Sequence, residues 1–297
     1  SFNLHEDPES TPYGTGYRQQ QGLQVRGGNE TIRYFLHGEW EDERGTIKVP
    51  EFEKRYMAAH GLSLTEDQEN QNRLKKATFR ANLNINLSDA LDLALSAGYI
   101  SSDLRLPEAD DSGTAGITAN TYGGPGFKYN TNTDGDTLYG WREYTPRSIY
   151  QRESVQSVER YINSVSGNWR PTSWLAFRSN LGLDYWSRHD MQMCRFGQCT
   201  HPPLLGFKED NRHSSYLYTV DVGGTATRQI NDETESQTSV GVQFFRTVFA
   251  GNYASGSTLP PGGQTVSGAA VKGASETTNE SRTLGAFLEQ RIAWRDR

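Results

Sequence analysis

Very short and very long connections alternate between the strand-like segments of this chain, and this feature constrains its fold most. Nine segments of its 297 residues alternate apolar and polar side chains with a period of two, as strands with two different faces do. Four connections are minimal turns: Gly27-Gly28-Asn29, Ser88-Asp89-Ala90, Arg170-Pro171-Thr172-Ser173 and Ile230-Asn231-Asp232-Glu233. The other four are long, polar and rich in Gly, Asp, Asn and Tyr: about 42–73, 103–152, 190–213 and 251–279. The pattern predicts antiparallel hairpins whose long loops all lie at one end.

Such an arrangement predicts an all-β chain that forms an antiparallel transmembrane β-barrel segment of about nine strands. Bacterial outer-membrane barrels have short periplasmic turns and long extracellular loops, whereas most connections in compact domains are only about 4–6 residues long. A soluble sandwich or propeller, whose apolar faces meet in a core, is the alternative. The chain has no Pro/Ser linker or charge block that would divide it, so we treat residues 1–297 as one architectural unit.

The hairpin at residues 78–99 shows the two faces most clearly. One face is apolar and carries Phe79, Ala81, Leu83, Ile85 and Leu87, then Leu91, Leu93, Leu95, Ala97 and Tyr99. The other face carries Arg80, Asn82, Asn84, Asn86, Asp92 and Ser96. A similar alternation recurs at 175–185, 216–222, 240–244 and 284–294, and it is noisier at about 18–26, 31–41 and 154–169. We expect the apolar face to meet lipid and the polar face to line the lumen.

Strand length and aromatic content agree with this prediction. A membrane-crossing strand needs only about 9–11 residues, and several predicted strands are longer, so we expect them to project beyond the bilayer. Aromatic residues form 11% of the chain, and Tyr is the most frequent with 15; such residues suit girdles at the two membrane interfaces. Candidate girdle residues are Trp169 and Trp174 beside a short turn, and Tyr99, Trp40 and Trp186 toward the loop ends.

Composition excludes some classes of protein. A mean hydropathy of -0.75 and the lack of any run of about 18 apolar residues exclude a membrane helix, but they do not exclude a membrane barrel, because half of each barrel strand faces a polar interior. The net charge of -6 offers no basic footprint for nucleic acid. No signal peptide is visible at Ser1, so in an exported protein the signal lies outside this stretch.

The odd number of strands predicts that the chain is part of a larger barrel. Single-chain bacterial barrels have even strand numbers, and an unpaired strand edge is not tolerated in lipid. The segment Trp294-Arg295-Asp296-Arg297 has the character of a turn that leads into a further strand.

Three segments resemble a known family. They are Gln24-Val25-Arg26-Gly27-Gly28-Asn29-Glu30-Thr31-Ile32-Arg33-Tyr34-Phe35-Leu36-His37-Gly38, Leu74-Lys75-Lys76-Ala77-Thr78-Phe79-Arg80-Ala81-Asn82-Leu83, and Leu284-Gly285-Ala286-Phe287-Leu288-Glu289-Gln290-Arg291-Ile292-Ala293-Trp294-Arg295-Asp296-Arg297. The first resembles the first barrel hairpin of TonB-dependent outer-membrane receptors of the SusC/RagA type, the second resembles the next strand, and the third is similar to the start of a mid-barrel hairpin. The whole chain thus resembles the middle part of such a β-barrel. The likeness covers nearly the whole chain in order and spacing, and its motifs are structural rather than catalytic.

The resemblance implies a barrel of about 22 strands with a plugged lumen. Residues 1–297 would then be a partial TonB-dependent receptor β-barrel domain that lacks the plug domain and the C-terminal strands. Members of this family import oligosaccharides, peptides or chelated metals across the bacterial outer membrane. The resemblance therefore implies outer-membrane lipid, TonB (contacted through a missing N-terminal region) and a SusD-like surface lipoprotein as partners, with an oligosaccharide or peptide as ligand.

Cys194 and Cys199 stand in a predicted outer loop. Four intervening residues can close a small ring, and we expect a disulfide because the route outward through the periplasm is oxidising. His189 and His201 stand on either side of the two cysteines, so a zinc site is an alternative, although this spacing is not one of the usual structural zinc patterns. Free thiols are the third possibility, and no metal site is assigned.

The loop 103–152 holds the candidate ligand contacts. Trp141 is the first choice, with Tyr122, Tyr139 and Tyr144, because flat aromatic rings beside polar groups can stack on sugars. The competing interpretation is that these rings, with Tyr129, pack the loop on itself.

The segment Asn130–Asp136 in the same loop is similar to the start of a calcium loop. Oxygen side chains stand at alternate positions and Gly135 is sixth, but the twelfth position is Trp141 rather than Glu, so an Asn/Asp/Gly turn explains the segment better. No cofactor is expected.

Catalytic motifs do not stand out in the sequence. The acidic pairs in Glu41-Asp42-Glu43 and Asp110-Asp111 suggest a glycosidase only if two carboxylates face each other across a cleft about 5–9.5 Å wide. No Gly-x-Ser-x-Gly, His-Glu-x-x-His or phosphate-binding Gly loop is present. The sequence thus predicts a section of a nutrient importer and not an enzyme, with a porin or adhesive barrel and a secreted carbohydrate-active β enzyme as alternatives.

Overall fold

The computed structural model describes residues 2–107, 116–198 and 205–294. Nine strands form one sheet, in which every strand is antiparallel to the next along the chain. They are β1 Tyr17–Gly28, β2 Ile32–Arg44, β3 Arg73–Ser88, β4 Leu91–Arg105, β5 Glu153–Thr172, β6 Leu175–Cys194, β7 Phe207–Asn231, β8 Thr234–Ser257 and β9 Val271–Trp294. The prediction of an all-β chain with nine antiparallel strands is confirmed. Within the described residues the sheet is open, because β1 and β9 do not pair with each other.

The short turns owe their shape to local chemistry. In the first turn, the Asn29 side chain accepts hydrogen bonds from the backbone N–H groups of Thr31 (2.9 Å) and Ile32 (2.8 Å). Gly28 precedes it with φ 136°, and a Cβ at this position would lie 2.1 Å from the Ile32 carbonyl oxygen. Only glycine fits this close approach of the two strands.

The strands extend further toward the long loops than the sequence predicts. The connections expected at 190–213 and 251–279 are in fact 195–206 and 258–270, because β6, β7, β8 and β9 continue through the ends of those segments. Ladder hydrogen bonds are made by the backbone and do not require an apolar face. The period-two signal therefore stops where both faces become polar, while the pairing continues.

The long connections between β2 and β3 and between β4 and β5 contain short helices: α1 Glu51–Ala59, α2 Glu66–Glu69, α3 Ile117–Tyr122 and α4 Pro146–Tyr150. A 3₁₀ turn, Val266–Gly268, lies between β8 and β9. Thr65 begins α2 with a capping box, in which its hydroxyl accepts from the Gln68 N–H (3.2 Å) and the Gln68 side chain accepts from the Thr65 N–H (3.0 Å). In the part of the chain that the structure describes, none of the helices has the length and apolar character needed to cross a membrane.

The hydrophobic core lies in the long loops and not against the sheet. Its buried members come from the N-terminal segment and from the loops 45–72 and 106–152: Leu4, Val49, Phe52, Met57, Leu64, Ile117, Leu138, Trp141, Ile149 and Tyr150. We call this unit, residues 2–16 with the described parts of these two loops, the cap. The sheet leaves many of its large apolar side chains exposed instead, so it needs an apolar environment outside the cap.

Candidate functional site

Two aromatic rows bound the apolar face of the sheet. Toward the long loops, Tyr99, Tyr161, Tyr185 and Tyr216 lie opposite one another on four successive strands. Their ring centroids are separated by 4.7, 6.1 and 4.5 Å in that order. Toward the short turns, Trp169 stacks on Phe177 at 5.4 Å, and Trp174 is exposed.

The separation of the two rows matches a membrane. Tyr161 and Trp169 stand eight residues apart on β5, which corresponds to roughly 26 Å along a strand. A strand tilted by about 40° spans roughly 20 Å of depth over that length, close to the ~25 Å apolar band of outer-membrane barrels. Midway between the rows, Val165 pairs with Leu95 and Leu181, and Leu95 pairs with Leu83.

Most of the candidate girdle residues lie on the apolar face of the sheet, toward the ends expected from the sequence. Trp40 lies on the same face as Phe79 and Tyr99, as expected. The expectation for Trp186 is wrong, because it alternates with Tyr185 and therefore lies on the opposite face. There its ring approaches Phe249 at 6.2 Å.

The opposite face is mostly polar, with a few apolar side chains such as Ile162 and Phe245, and many of its polar side chains form hydrogen bonds with one another. The Ser96 hydroxyl donates to the Asn82 side chain (2.9 Å), the Arg160 Nε–H donates to Asp184 (2.9 Å), and the Gln243 amide donates to Asp221 (2.6 Å). This surface carries both positively and negatively charged side chains, and they form hydrogen bonds across the strands. It can therefore line a water-filled or plugged lumen, as the lumen of a membrane barrel requires.

Trp141 holds the cap together. Its side chain is 0% exposed, and the indole N–H donates to the Ser10 carbonyl (2.9 Å), so residues 131 positions apart are joined. The structure thus places our first-choice ligand contact in the core, where a ligand cannot touch it, and the loop-packing interpretation describes this residue. The physical reason is area, since a large aromatic ring gains most by complete burial.

The tyrosines of this loop differ in how far their rings are exposed to solvent. Tyr139 is half-buried against Phe52, with ring centroids 4.5 Å apart, and its φ of 51° is unusual for a residue other than glycine. Tyr144 also packs against the core. Tyr122 and Tyr129 are 71% and 73% exposed, so their rings remain accessible from solvent. The sequence brought these tyrosines together in one loop but did not separate core rings from surface rings.

The turn at 130–136 satisfies its own polar groups. The Asn132 side-chain oxygen accepts from the N–H groups of Asp134 (3.1 Å) and Asp136 (2.8 Å), while Arg147 binds the Asp136 carboxylate at 2.8 Å. This geometry fits the Asn/Asp/Gly turn. Among the described residues no group of three or more His, Cys, Asp and Glu side chains is placed to hold a metal ion.

The region of the expected disulfide is described only in part. Cys194 is buried at the end of β6, but Cys199 and His201 lie outside the described residues, so the pairing of Cys194 with Cys199 stays a prediction. His189 faces Asp210 of the neighbouring strand, with 2.9 Å between the ring Nε2 and the carboxylate.

Ion pairs within the cap join the N-terminal segment to α1 and to the loop 106–152. Lys128 binds Asp7 (2.9 Å) and Glu9 (2.8 Å), and Arg55 binds Glu9 (2.8 Å). In α1, Glu53 is fully buried and accepts from Arg147 at 2.7 Å. Burial raises the pKa of the Glu53 carboxyl, and the Arg147 guanidinium offsets only part of that shift.

The cap contains cavities that sequence patterns did not reveal. One of about 480 Å³ is lined by Phe52, Tyr56, Tyr139 and Arg147 among others. A second of about 340 Å³ lies where β1 and β2 enter the cap, beside Arg44 and Lys48. Both are bounded by segments far apart in the chain, so no local motif could have indicated them.

Comparison with solved structures gives a consistent fold. The chain is similar to the structure of the RagAB peptide transporter, with a TM-score of 0.69 and 12% identity over 94% of this chain and 30% of that chain. The RagAB peptide importer in its closed-closed state has a TM-score of 0.68 with this chain, at 12% identity over 95% of this chain and 30% of that chain. In its open-open state the TM-score is 0.64, at 12% identity over 93% of this chain and 29% of that chain. This chain therefore has the fold of a section of these transporters and spans less than a third of the aligned chains. No protein-family model matches the sequence, and no curated protein matches it.

Proposed function

We propose that this chain is a section of the barrel of a TonB-dependent outer-membrane importer of the SusC/RagA type, with residues 1–297 in the middle of about 22 strands. The observation that carries the proposal is the apolar face of the sheet, which is bounded by two aromatic rows at about the spacing of a membrane. The similarity in fold to RagAB supports it.

The proposed topology places the short turns in the periplasm and the cap outside the cell. A ligand that approaches from outside meets the cap first, and Tyr122 and Tyr129 offer exposed rings there. Peptides or oligosaccharides are the proposed cargo. RagAB is described as a peptide transporter, which supports a peptide as the cargo. In the proposed importer, TonB would supply energy through a plug domain and a SusD-like lipoprotein would cover the loops.

An epitope tag on each side of the sheet tests the topology. Gly262 stands at φ 77° in the connection 258–270 with open space around it, and Asp89-Ala90 forms a short turn. We expect antibody to reach a tag after Gly262 on intact cells, and a tag after Asp89 only after the outer membrane is permeabilised. The reverse labelling would contradict the orientation, and a protein absent from the outer-membrane fraction would contradict the whole proposal.

Energy dependence separates an importer from the other classes. Cells supplied with a panel of peptides or oligosaccharides as the sole nitrogen or carbon source should lose growth on the cargo when either this protein or TonB is removed. Growth that depends on this protein but not on TonB would indicate a porin. Hydrolysis of a glycan panel by the purified protein would indicate the secreted enzyme.

A further inference from the structure

The cavity beside Arg44 has the chemistry of an anion site. Its volume is about 340 Å³, and it is lined by residues 14, 15, 17, 44–49, 54, 69, 70 and 72. Three cationic side chains, Arg44, Lys48 and Lys54, line it together with one acid, Glu69. Lys54 also binds Glu51 at 2.9 Å. The carboxylates of Glu51 and Glu69 therefore balance only two of the three positive charges, and the cavity keeps an excess positive charge although the whole chain has a net charge of -6.

Arg44 stands in a row of like charges. On the face that also carries Tyr99 and Tyr161, Arg44 of β2 lies directly opposite Arg73 of β3, and Arg73 lies opposite Arg105 of β4. Like charges directly opposite each other on one face of a sheet are destabilising, so negatively charged groups beside this row stabilise it.

Among the described residues, two of the three arginines form direct ion pairs with carboxylates, and Arg44 feels the charge of Asp42 without a direct contact. Arg73 binds Asp42 through two hydrogen bonds of 3.1 and 3.3 Å, and Arg105 binds Asp67 at 2.6 Å. Arg44 has the Tyr17 ring 5.6 Å from its guanidinium carbon, while its Nε is buried without a hydrogen-bond partner. An anion in the adjoining cavity would face the Arg44 side chain, which lines it, and would offset the positive charge of the row.

Hydrogen bonds fix the backbone of Lys48, which supplies the second cation of the cavity. The backbone N–H of Lys48 donates to Pro12 O (2.7 Å), and its carbonyl accepts from the Tyr150 hydroxyl (2.6 Å), which ties this segment to the core of the cap. The stem of Lys48 lies against Gly14, where a Cβ would come within 2.9 Å of Lys48 Cδ. Glycine at position 14 therefore leaves the room that this lysine occupies.

We infer that this cavity binds a phosphate group, with Arg44 and Lys48 as its two main ligands. A guanidinium presents paired N–H donors that match phosphate oxygens, and an ammonium adds a point charge. Asn70 and Asn72 in the same wall add polar side chains. The site lies at the long-loop end of the sheet, beyond the tyrosine row, so the phosphate can come from a lipid headgroup or from a free phosphorylated solute.

Two measurements on the full-length protein in a non-ionic detergent distinguish these sources. Calorimetric titration with inorganic phosphate tests the free anion, and native mass spectrometry with added phosphatidic acid or phosphatidylcholine tests the lipid. Binding of inorganic phosphate supports a soluble source. Selective binding of phosphatidic acid without inorganic phosphate supports a headgroup.

Matched variants locate the binding. Arg44→Gln and Lys48→Gln should each weaken it by about tenfold or more, while Arg26→Gln, which removes the same charge from an exposed position on β1 outside the cavity, should leave it unchanged. Equal weakening by all three variants would show a diffuse charge effect and overturn the site, as would the absence of both kinds of binding to the unchanged protein. Lys48→Gln carries the test if Arg44→Gln does not assemble. None of these readouts depends on transport, so the site and the proposed function can fail separately.

Discussion

At the scale of single residues, the cap depends on a buried charge pair. Glu53 has 0% exposure, and one of its carboxylate oxygens accepts from Arg147, while the other, Oε2, has no hydrogen-bond partner among the residues that the structure describes. Such a pair is weak evidence for stability, but the loss of one member leaves an uncompensated charge in the core.

Replacement of Arg147 by Met should therefore destabilise the cap by about 3–5 kcal/mol near neutral pH. Because burial raises the Glu53 pKa above its ordinary value of 4.5, the folded cap holds the proton more tightly than the unfolded chain. The loss of stability in Arg147→Met should become smaller as the pH falls through the raised pKa toward 4.5, because Glu53 becomes neutral there. Urea titrations of the cap, followed by tryptophan fluorescence at several pH values, measure this effect.

The double variant Glu53→Gln/Arg147→Met is the control for that prediction. It removes both the charge and its partner, so its stability should depend less on pH than that of Arg147→Met. A defect in Arg147→Met that is equally large at acid pH would show that packing, and not the Glu53 charge, determines the loss.

Trp141 distinguishes a packing role from a ligand role. Trp141→Ala should destabilise the cap by about 3–5 kcal/mol, because it empties a fully buried site. Trp141→Phe should cost less but still leave the Ser10 carbonyl without its donor. Tyr129→Ala, at an exposed ring, should change stability by no more than about 0.5 kcal/mol. Weaker ligand binding by Trp141→Phe at unchanged protease resistance would contradict the packing role.

At the scale of elements, the depth of a residue between the aromatic rows sets the cost of a charge. Leu83 lies in the midway row with Leu95 and Val165, whereas Leu93 pairs with Gly167, two residues nearer Trp169. Leu83→Arg should cost about 2–4 kcal/mol in lipid, and Leu93→Arg should cost less because it is nearer the interface. Folding titrations of the full-length protein into lipid vesicles measure both.

Asn82→Arg is the matched control, since Asn82 neighbours Leu83 on the same strand but points to the polar face. We expect this change to be tolerated. Equal costs for Asn82→Arg and Leu83→Arg would show that the lipid-facing side has been assigned incorrectly.

At the scale of the whole molecule, the open sheet determines how this section behaves by itself. β1 and β9 each present one edge without a neighbour among the described strands, and β9 is exposed along nearly all of its 24 residues. Unpaired backbone groups are costly in lipid, and exposed edges pair with other chains in water.

Residues 1–297 expressed alone should therefore associate through these edges, whereas the full-length protein should be monodisperse in detergent. Sedimentation velocity of both proteins in the same detergent compares them. A monodisperse, detergent-free monomer of residues 1–297 would contradict the membrane assignment, because its apolar face would then have to be stable in water.

The sequence by itself determined the number of strands, their order and their two faces, but not where β6 to β9 end. Alternation in β3 and β4 is enough for this, because a strand turns successive side chains to opposite sides and short turns join neighbours. The same local rule placed Tyr99 and Trp169 toward opposite ends of the sheet. Trp186 follows the same rule, which places it on the face opposite Tyr185, so its expected girdle position is wrong.

Only the tertiary structure decided what the long loops do. Trp141 meets Ser10 across 131 residues, and the cavity at Arg44 is closed by three segments. Such contacts are set by the packing of distant segments and leave no periodic trace in the sequence. For the same reason, the division of the loop aromatics into a buried Trp141 and an exposed Tyr129 depends on the volume available in the folded cap, which no local pattern encodes.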